Sequence, residues 1–172
     1  MYVDPGLAIL RVVVGGIALA HGLQKLGYLG GGGVVGTVGM MSRIGVKPGP
    51  FWAYVVTVAE VAGGALVLLG FLGAVGPLLI VADMIVAGVT VHWANGFWDT
   101  KGGIEFPLTL GTSALAIGLV GFGAWSVDRA IGLTVPDWIV QGWTGLMILG
   151  VLLALTSRSA GAAESQGEST SS

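Results

Sequence analysis

Five long apolar stretches dominate this sequence, and they restrict what the chain can fold into. They lie at approximately 6–26, 51–73, 75–93, 106–124 and 136–156. About 20 apolar residues in a helix cross the roughly 30 Å hydrocarbon core of a bilayer. Each stretch must be helical there, because lipid offers the backbone no hydrogen-bond partner. The sequence therefore predicts an all-α integral membrane protein.

Composition supports this prediction and excludes several functions. Only 9% of the residues are charged and the mean hydropathy is +0.90, whereas a soluble domain carries about a quarter charged residues. The length of 172 residues suits one compact helical domain. A net charge of -2 without a basic run gives no field for nucleic acid. The chain has no Cys, which excludes disulfides, thiolate metal sites and iron–sulfur clusters within it.

Three segments allow an interpretation other than a membrane span. The first stretch resembles a signal peptide in having Arg11 before an apolar run, but the run starts ahead of Arg11, which favours a span. The connection 27–50 contains "VVGTVGMMSRIGV", which predicts an interfacial or a re-entrant helix. Residues 157–172 are rich in Ser, Gly and Glu, so we expect a disordered tail.

The distribution of Lys and Arg predicts the orientation in the cell membrane. With five spans, the connections 27–50 and 94–105 share a side with the C-terminus. That side carries most of the basic residues near the ends of the spans, namely Lys25, Arg43, Lys47, Lys101 and Arg158. Short loops rich in Lys and Arg stay in the cytoplasm. We therefore expect a multi-pass protein with its N-terminus outside and its C-terminus in the cytoplasm.

Ionisable residues inside the apolar stretches are costly, so they indicate function or a structural pair. Arg11 and Asp83 lie toward one membrane face, at depths of roughly 8 and 12 Å. Because each would make the other tolerable, they are predicted to form a structural ion pair between the first and third spans.

A second group of polar residues lies toward the other face. Its members are His21, Gln24, Lys25, Glu60, His92, Asn95 and Glu105. His21 and Lys25 are four residues apart and so share one helix face. Asp83 and His92 are nine residues apart on one segment, which places them on opposite faces unless the helix bends.

The stretch "VHWANGFWDTKGGIEFPL", residues 91–108, has two interpretations. It is either a polar cover over a site formed by His21 and His92, or an ordinary connecting loop. In the second case Glu105 is an acid at a helix N-terminus and Gly102 and Gly103 form a turn. The residues alone leave both interpretations open.

Five pieces of the chain, in this order and spacing, resemble the DoxX family of small membrane proteins over about residues 5–132. They are "LRVVVGGIALAHGLQKL", "AEVAGGALVLLG", "VHWANGF", "GGIEFPL" and "GAWSVDR". The resemblance implies a four-helix membrane bundle. It also places a set of residues at positions typical of the family: His21, Gly22, Lys25, Glu60, His92, Asn95, Gly96, Gly103 and Glu105. Asp83 and the further transmembrane segment in 133–156 depart from the pattern.

The resemblance implies a function linked to thiosulfate:quinone oxidoreductase subunits and to membrane assemblies that handle thiol and oxidative stress. Our first hypothesis is a membrane subunit of a quinone-linked redox system. Imidazoles and a buried carboxyl could bond to quinone oxygens and carry protons. The catalytic candidates are His21, Glu60 and His92, and the quinone-binding candidates are Gln24, Lys25, Trp93, Asn95 and Glu105. Whether the chain itself catalyses a reaction stays open.

The second hypothesis is a non-catalytic anchor or assembly subunit for a partner oxidoreductase or a homo-oligomer. Glycine pairs at 15–16, 63–64 and 142 with 145 would suit close helix contacts. Haem between His21 and His92 is disfavoured because their depths differ, and a metal site with Glu60 has no local ligand spacing. The pattern of Gly31, Gly33 and Gly36 matches a dinucleotide fingerprint, but a membrane helix precedes it, so it predicts a flexible link.

Overall fold

The structure is a computed structural model that describes the backbone of residues 3–170 and the side chains of residues 3–158. Its helices are α1 (Val3–Lys25), α2 (Gly33–Arg43), α3 (Gly49–Leu69), α4 (Val75–Ala87), α5 (Glu105–Val120), α6 (Val127–Ile131) and α7 (Asp137–Thr170). A π-helical turn (Gly88–His92) and a 3-10 turn (Trp93–Asn95) extend α4, and a second 3-10 turn covers Asp99–Lys101.

Four helices enclose the core, as the sequence predicted. In this bundle α1 packs on α3, α3 on α4, α4 on α5, and α5 closes the ring against α1. The core is apolar and includes Val14, Val67, Ile80, Ala114 and Ile117. The fifth predicted segment, α7, packs on the outer side of α4. The predicted all-α membrane bundle with an additional helix is therefore confirmed.

The lengths of the helices agree with a multi-pass membrane protein. Within residues 3–170, four helical stretches are long and apolar enough to cross a bilayer: Val3–Lys25, Gly49–Leu69, Val75–Asn95 and Asp137–Arg158. The remaining one, α5, has 16 residues and rises about 24 Å. It ends at Val120, whereas the sequence predicted a boundary at 124. The next residue, Gly121, takes a positive φ of 88°. The orientation of the termini stays a prediction.

Glycines allow the bundle helices to touch through their backbones. A Cβ atom added at Gly15 would lie 2.5 Å from the Leu68 nitrogen, and one at Gly64 would collide with the backbone of Leu19. Between α3 and α4, a Cβ atom at Gly76 would lie 2.7 Å from that of Leu66. Small residues give such close contacts in membranes, where apolar burial between helices contributes little.

The short helix α2 lies in the connection where the sequence predicted an interfacial or re-entrant helix. Its 11 residues rise about 16 Å, too little to cross the hydrocarbon core. Thr37 and Met41 are buried, and α2 packs on α3 and α1. Val35, by contrast, is 86% exposed.

Hydrogen bonds hold α7 to α4 at two levels. Near the start of α7, Trp143 Nε1 donates to the Val75 carbonyl at 3.2 Å, at the first turn of α4. Fifteen residues further along α7, Arg158 Nη1 donates to the Val89 carbonyl at 3.3 Å. Val89 lies in the π-helical turn, where the regular hydrogen-bond pattern of a helix is interrupted. These bonds fix how α7 lies along α4.

The C-terminal boundary differs from the sequence prediction. The fifth segment was expected to end near 156, whereas α7 is helical as far as Thr170. The disordered tail expected over 157–172 stays a prediction, because the side chains beyond Arg158 and all of residues 171–172 lie outside the described part of the chain.

Substitution of glycine by alanine should have opposite effects at two helical positions. Gly142 has no heavy atom within 4 Å of an added Cβ atom, so Gly142→Ala should stabilise α7 by roughly 0.5–1 kcal/mol through helix propensity. Gly64→Ala should destabilise the fold by roughly 1–3 kcal/mol, because the methyl group would force α1 and α3 apart. Thermal unfolding of both variants in the same detergent measures this. Equal shifts in the two variants would contradict the close packing of α1 on α3.

Candidate functional site

An ion pair lies inside the membrane bundle. Lys25 Nζ donates to both carboxylate oxygens of Glu60, at 2.5 and 2.6 Å. The side chain of Glu60 is 6% exposed and that of Lys25 is 18% exposed. A lysine at the end of a membrane helix ordinarily directs its ammonium group outward to the interface. Lys25 is the last residue of α1 and instead reaches inward, toward a carboxylate about 16 Å along α3 from Gly49.

The packing of α1 on α3 makes this ion pair possible. A Cβ atom at Gly22 would lie 2.8 Å from the Val61 nitrogen and 3.1 Å from the Glu60 Cβ atom. The absence of a side chain at Gly22 therefore lets α1 lie directly against α3 beside Glu60. Lys25 follows less than one turn later, so its side chain starts close to the carboxylate.

Asp83 of α4 completes a cluster of three ionisable groups. Its carboxyl lies within side-chain hydrogen-bonding range of the Glu60 carboxyl and close enough to Lys25 for an electrostatic interaction. Its Oδ2 atom is buried and has no hydrogen-bond donor. Three helices thus each contribute one charged residue to a single site, in which Glu60 is buried and Lys25 and Asp83 are half-buried. The site contains two acids and one base.

The predicted ion pair between Arg11 and Asp83 is wrong. Arg11 Nη2 donates to the Trp125 carbonyl at 2.6 Å, and its guanidinium lies 5.6 Å from the centre of the Phe122 ring. The physical reason is depth: Arg11 precedes Lys25 by about 21 Å along α1, whereas Asp83 lies at the level of the Lys25–Glu60 pair. Arg11 therefore holds the chain after α5, on the opposite side of the bundle.

Further polar contacts close this opposite side. Both carboxylate oxygens of Asp128 accept backbone N–H bonds, from Leu72 at 2.9 Å and Gly73 at 2.8 Å. Asp4 Oδ1 accepts from the Ala124 nitrogen at 2.8 Å. Arg11, Asp128 and Asp4 are thus bonded to loop backbone, which indicates a structural role.

His21 and Gln24 lie on α1 before Lys25 but outside the buried cluster. The exposed His21 ring packs at 5.2 Å, centre to centre, on Phe106 at the start of α5. Gln24 is exposed as well. The structure therefore brings Lys25 and Glu60 together from the predicted set, and it places the imidazole of His21 at the surface of the bundle.

His92, Asn95 and Glu105 bind the connecting loop. His92 Nδ1 lies 2.7 Å from the Gly102 carbonyl oxygen, and Asn95 Nδ2 donates to the same oxygen at 3.1 Å. Glu105 Oε2 accepts from the Asp99 nitrogen at 2.9 Å. These bonds agree with the interpretation of residues 91–108 as a structured connecting loop.

The π-helical turn separates the surroundings of Asp83 from those of His92. It occupies Gly88–His92, so the helix changes its winding between Asp83 and His92. Such a change was needed for these two residues, nine positions apart, to face the same partner. Even so, His92 bonds to Gly102 and Asp83 lies beside Glu60. Trp93, predicted to bind quinone, is 69% exposed. Among residues 3–158, no group of three or more His, Asp or Glu side chains is arranged to hold a metal ion.

A groove between α3, α4 and α7 opens beside the ionic cluster. Its volume is about 420 Å³, and its walls include Val55 and Val58 of α3, Ala82 and Val86 of α4, and Met147 and Val151 of α7. Asp83 is the charged residue in this lining. Tyr54, Val55 and Val58 are exposed within a membrane-spanning helix, so the groove faces lipid.

Sequence reasoning assigned Asp83 to the wrong partner. The sequence does contain a signal for the correct partner: Glu60 and Asp83 both lie near the middle of consecutive apolar segments, which must run antiparallel because a five-residue bend joins them. Two residues near the middle of antiparallel neighbours lie at similar depth. The contact between Glu60 and Asp83 depends also on which faces of α3 and α4 meet, and depth along a helix does not determine this.

Fold and site together define a multi-pass helical membrane protein with a buried ionic cluster beside a lipid-facing groove. A sequence model of the DoxX family matches residues 6–93. The chain belongs to the DoxX family. This match covers α1 to α4 and therefore all three residues of the ionic cluster.

Two relatives extend the comparison. One, named "Uncharacterized membrane protein Rv3486", from Mycobacterium tuberculosis, is 29% identical over 137 residues, 74% of this chain and 82% of the relative. The other, named "Putative oxidoreductase CatD", from Bacillus subtilis, is 32% identical over 123 residues, 72% of this chain and 84% of the relative. No solved structure matches the chain.

Replacement of His92 by alanine should loosen the loop without affecting α1. The lost hydrogen bond to Gly102 contributes about 1 kcal/mol, so the amides of Gly103, Ile104 and Glu105, which bond to carbonyls across the loop, should exchange hydrogen roughly fivefold faster. Hydrogen-exchange mass spectrometry measures this rate. His21→Ala is the matched control and should leave these amides unchanged. Unaltered exchange in His92→Ala would show that the loop does not depend on this imidazole.

Proposed function

We propose that this protein is a membrane subunit of a quinone-linked redox system, in which the quinone ring binds in the groove over Asp83. The observation that supports this is the combination of an apolar, lipid-facing groove with a carboxyl group in its lining. That carboxyl lies beside the Lys25–Glu60 ion pair, which connects it to the end of α1.

The groove has the size and chemistry that such a ligand requires. Sites for small molecules measure about 300–1,000 Å³ and are mostly apolar, with few polar groups that orient the ligand. A volume of about 420 Å³ falls in this range. A quinone dissolved in the bilayer can enter a groove that faces lipid, and its isoprenoid chain can remain among the lipid chains. Its ring would pack between valine and alanine side chains.

Asp83 would bind the oxygen atoms of the ring. A protonated carboxyl donates a hydrogen bond to a quinone carbonyl, and an ionised one accepts a bond from a hydroquinone hydroxyl. Of the predicted catalytic residues, Glu60 belongs to this proposed site through its contact with Asp83. His21 and His92 are not part of the groove lining, so the proposal gives them no role in binding the ring.

The composition of the chain excludes one source of electrons. It has no Cys, so no thiol of its own can deliver electrons, and the proposed redox system would take them from another molecule. The relative from Bacillus subtilis carries the word oxidoreductase in its name, and this supports a redox role.

One observation favours the second function, a membrane anchor for a partner enzyme. The loop between α4 and α5 is held by internal hydrogen bonds, and it carries the exposed side chains of Trp93, Phe97 and Trp98. A rigid loop with exposed aromatic residues could dock a partner, although aromatic residues also mark membrane interfaces. In this case the buried cluster would serve packing alone.

Filling the groove should abolish quinone binding without disturbing the fold. Gly150 lines the groove, and no heavy atom lies within 4 Å of a Cβ atom added there. Gly150→Leu should therefore occupy the space of the ring and weaken binding at least tenfold, a loss of about 1.4 kcal/mol or more. Binding of a short-chain benzoquinone or naphthoquinone to the protein in lipid nanodiscs can be measured by quenching of tryptophan fluorescence.

Gly142→Leu is the matched control, because Gly142 also has open space around it and does not line the groove. It should bind quinone as the unaltered protein does. Equal binding by both leucine variants would place the quinone elsewhere. Failure of the unaltered protein to bind either quinone would exclude the proposed function and leave the anchor as the better interpretation.

A further inference from the structure

The ionic cluster contains two acidic side chains and one basic side chain, so one of the two acids has no counter-charge. Lys25 of α1 donates to both oxygens of Glu60 of α3, so its ammonium group is directed to that carboxylate. Asp83 of α4 has no cation of its own, and its Oδ2 atom has no donor. From α7, the residues that line the neighbouring groove are apolar, among them Met147, Val151 and Ala154. With all groups ionised, the site would carry a net charge of minus one.

A net charge of minus one inside the membrane-spanning part of the bundle would destabilise the folded protein. Glu60 is buried, and both acids sit roughly halfway along membrane-spanning helices. An uncompensated charge in a medium of low dielectric constant costs several kcal/mol. Two carboxylates in contact also repel each other, as two acids that share one site do in general. A hydrogen bond between them requires a proton on one of the two, because an ionised carboxylate can only accept.

We infer that Glu60 and Asp83 share a single exchangeable proton, which links the aqueous face at Lys25 to the lipid-facing groove. One proton gives Oδ2 of Asp83 its missing hydrogen bond and makes the cluster electrically neutral. The proton moves by breaking an O–H bond on one carboxyl and forming one on the other, and no electrons are transferred.

The geometry gives this proton two exits. Lys25 ends α1, and its side chain is 18% exposed, so water can reach the Glu60 side of the pair. Asp83 lines the groove, so a molecule bound there can reach the other side. Lys25 is a positioning residue in this arrangement, because its charge keeps one of the two carboxyls ionised. The inference deepens the proposed function by adding proton transfer to the same site, and it can be tested without quinone.

Infrared spectroscopy counts protonated carboxyls directly through their C=O stretch. For the unaltered protein in lipid nanodiscs at neutral pH, without quinone, we expect one protonated carboxyl per chain, with a band that shifts when D₂O replaces water. Asp83→Asn and Glu60→Gln keep the shape of each side chain, and each should remove the band. Lys25→Met should increase the count from one to two, because Glu60 then loses its counter-charge.

Asp99→Asn is the matched control, since Asp99 is an exposed acid of the loop and should not change the band. Absence of the band in the unaltered protein would overturn the inference, and so would a band that persists in both Asp83→Asn and Glu60→Gln. The unaltered protein gives a result even if a variant fails to fold. A band present in a protein that binds no quinone would refute the proposed function alone, and quinone binding without the band would refute the shared proton alone.

Discussion

The contact between Lys25 and Glu60 is the interaction on which the interior of this bundle depends. A carboxylate about halfway along α3 is tolerable in a bilayer only if a cation reaches it. Lys25 reaches it because Gly22, less than one turn earlier, lets α1 lie directly on α3. Gly15 and Gly64 continue the same close contact further along the two helices. The backbone contact and the ion pair are therefore parts of one arrangement.

The additional helix, α7, completes a groove beside this cluster. α7 lies outside the four-helix bundle, where Trp143 and Arg158 bond it to the two ends of α4. In this position it forms the third wall of the groove that Asp83 lines. The family match covers residues 6–93, so it includes all three residues of the cluster and does not include α7.

Charged and polar side chains bond to loop backbone on both sides of the bundle. On one side Arg11, Asp4 and Asp128 bond to backbone groups of loops, although Nε and Nη1 of Arg11 are buried without a hydrogen-bond partner. On the other side His92, Asn95 and Glu105 do the same for the loop after α4. Among the acidic residues named here, Asp83 is the one with a buried oxygen atom, Oδ2, that has no donor. Polarity within a membrane segment is therefore weak evidence of function until each bond is assigned.

The class of protein follows from the sequence alone, because the length and polarity of each segment are local properties that the bilayer selects directly. The sequence also placed Lys25 and Glu60 in one set, since depth follows from position along a helix. The partner of Asp83 was decided by tertiary structure alone. Depth along a helix does not say which faces of neighbouring helices meet, and Arg11 and Glu60 were both charged residues on spans that could pack beside α4. Glycine contacts fix which faces of α1, α3 and α4 meet. This arrangement brings Asp83 to Glu60 and leaves His21 at the surface.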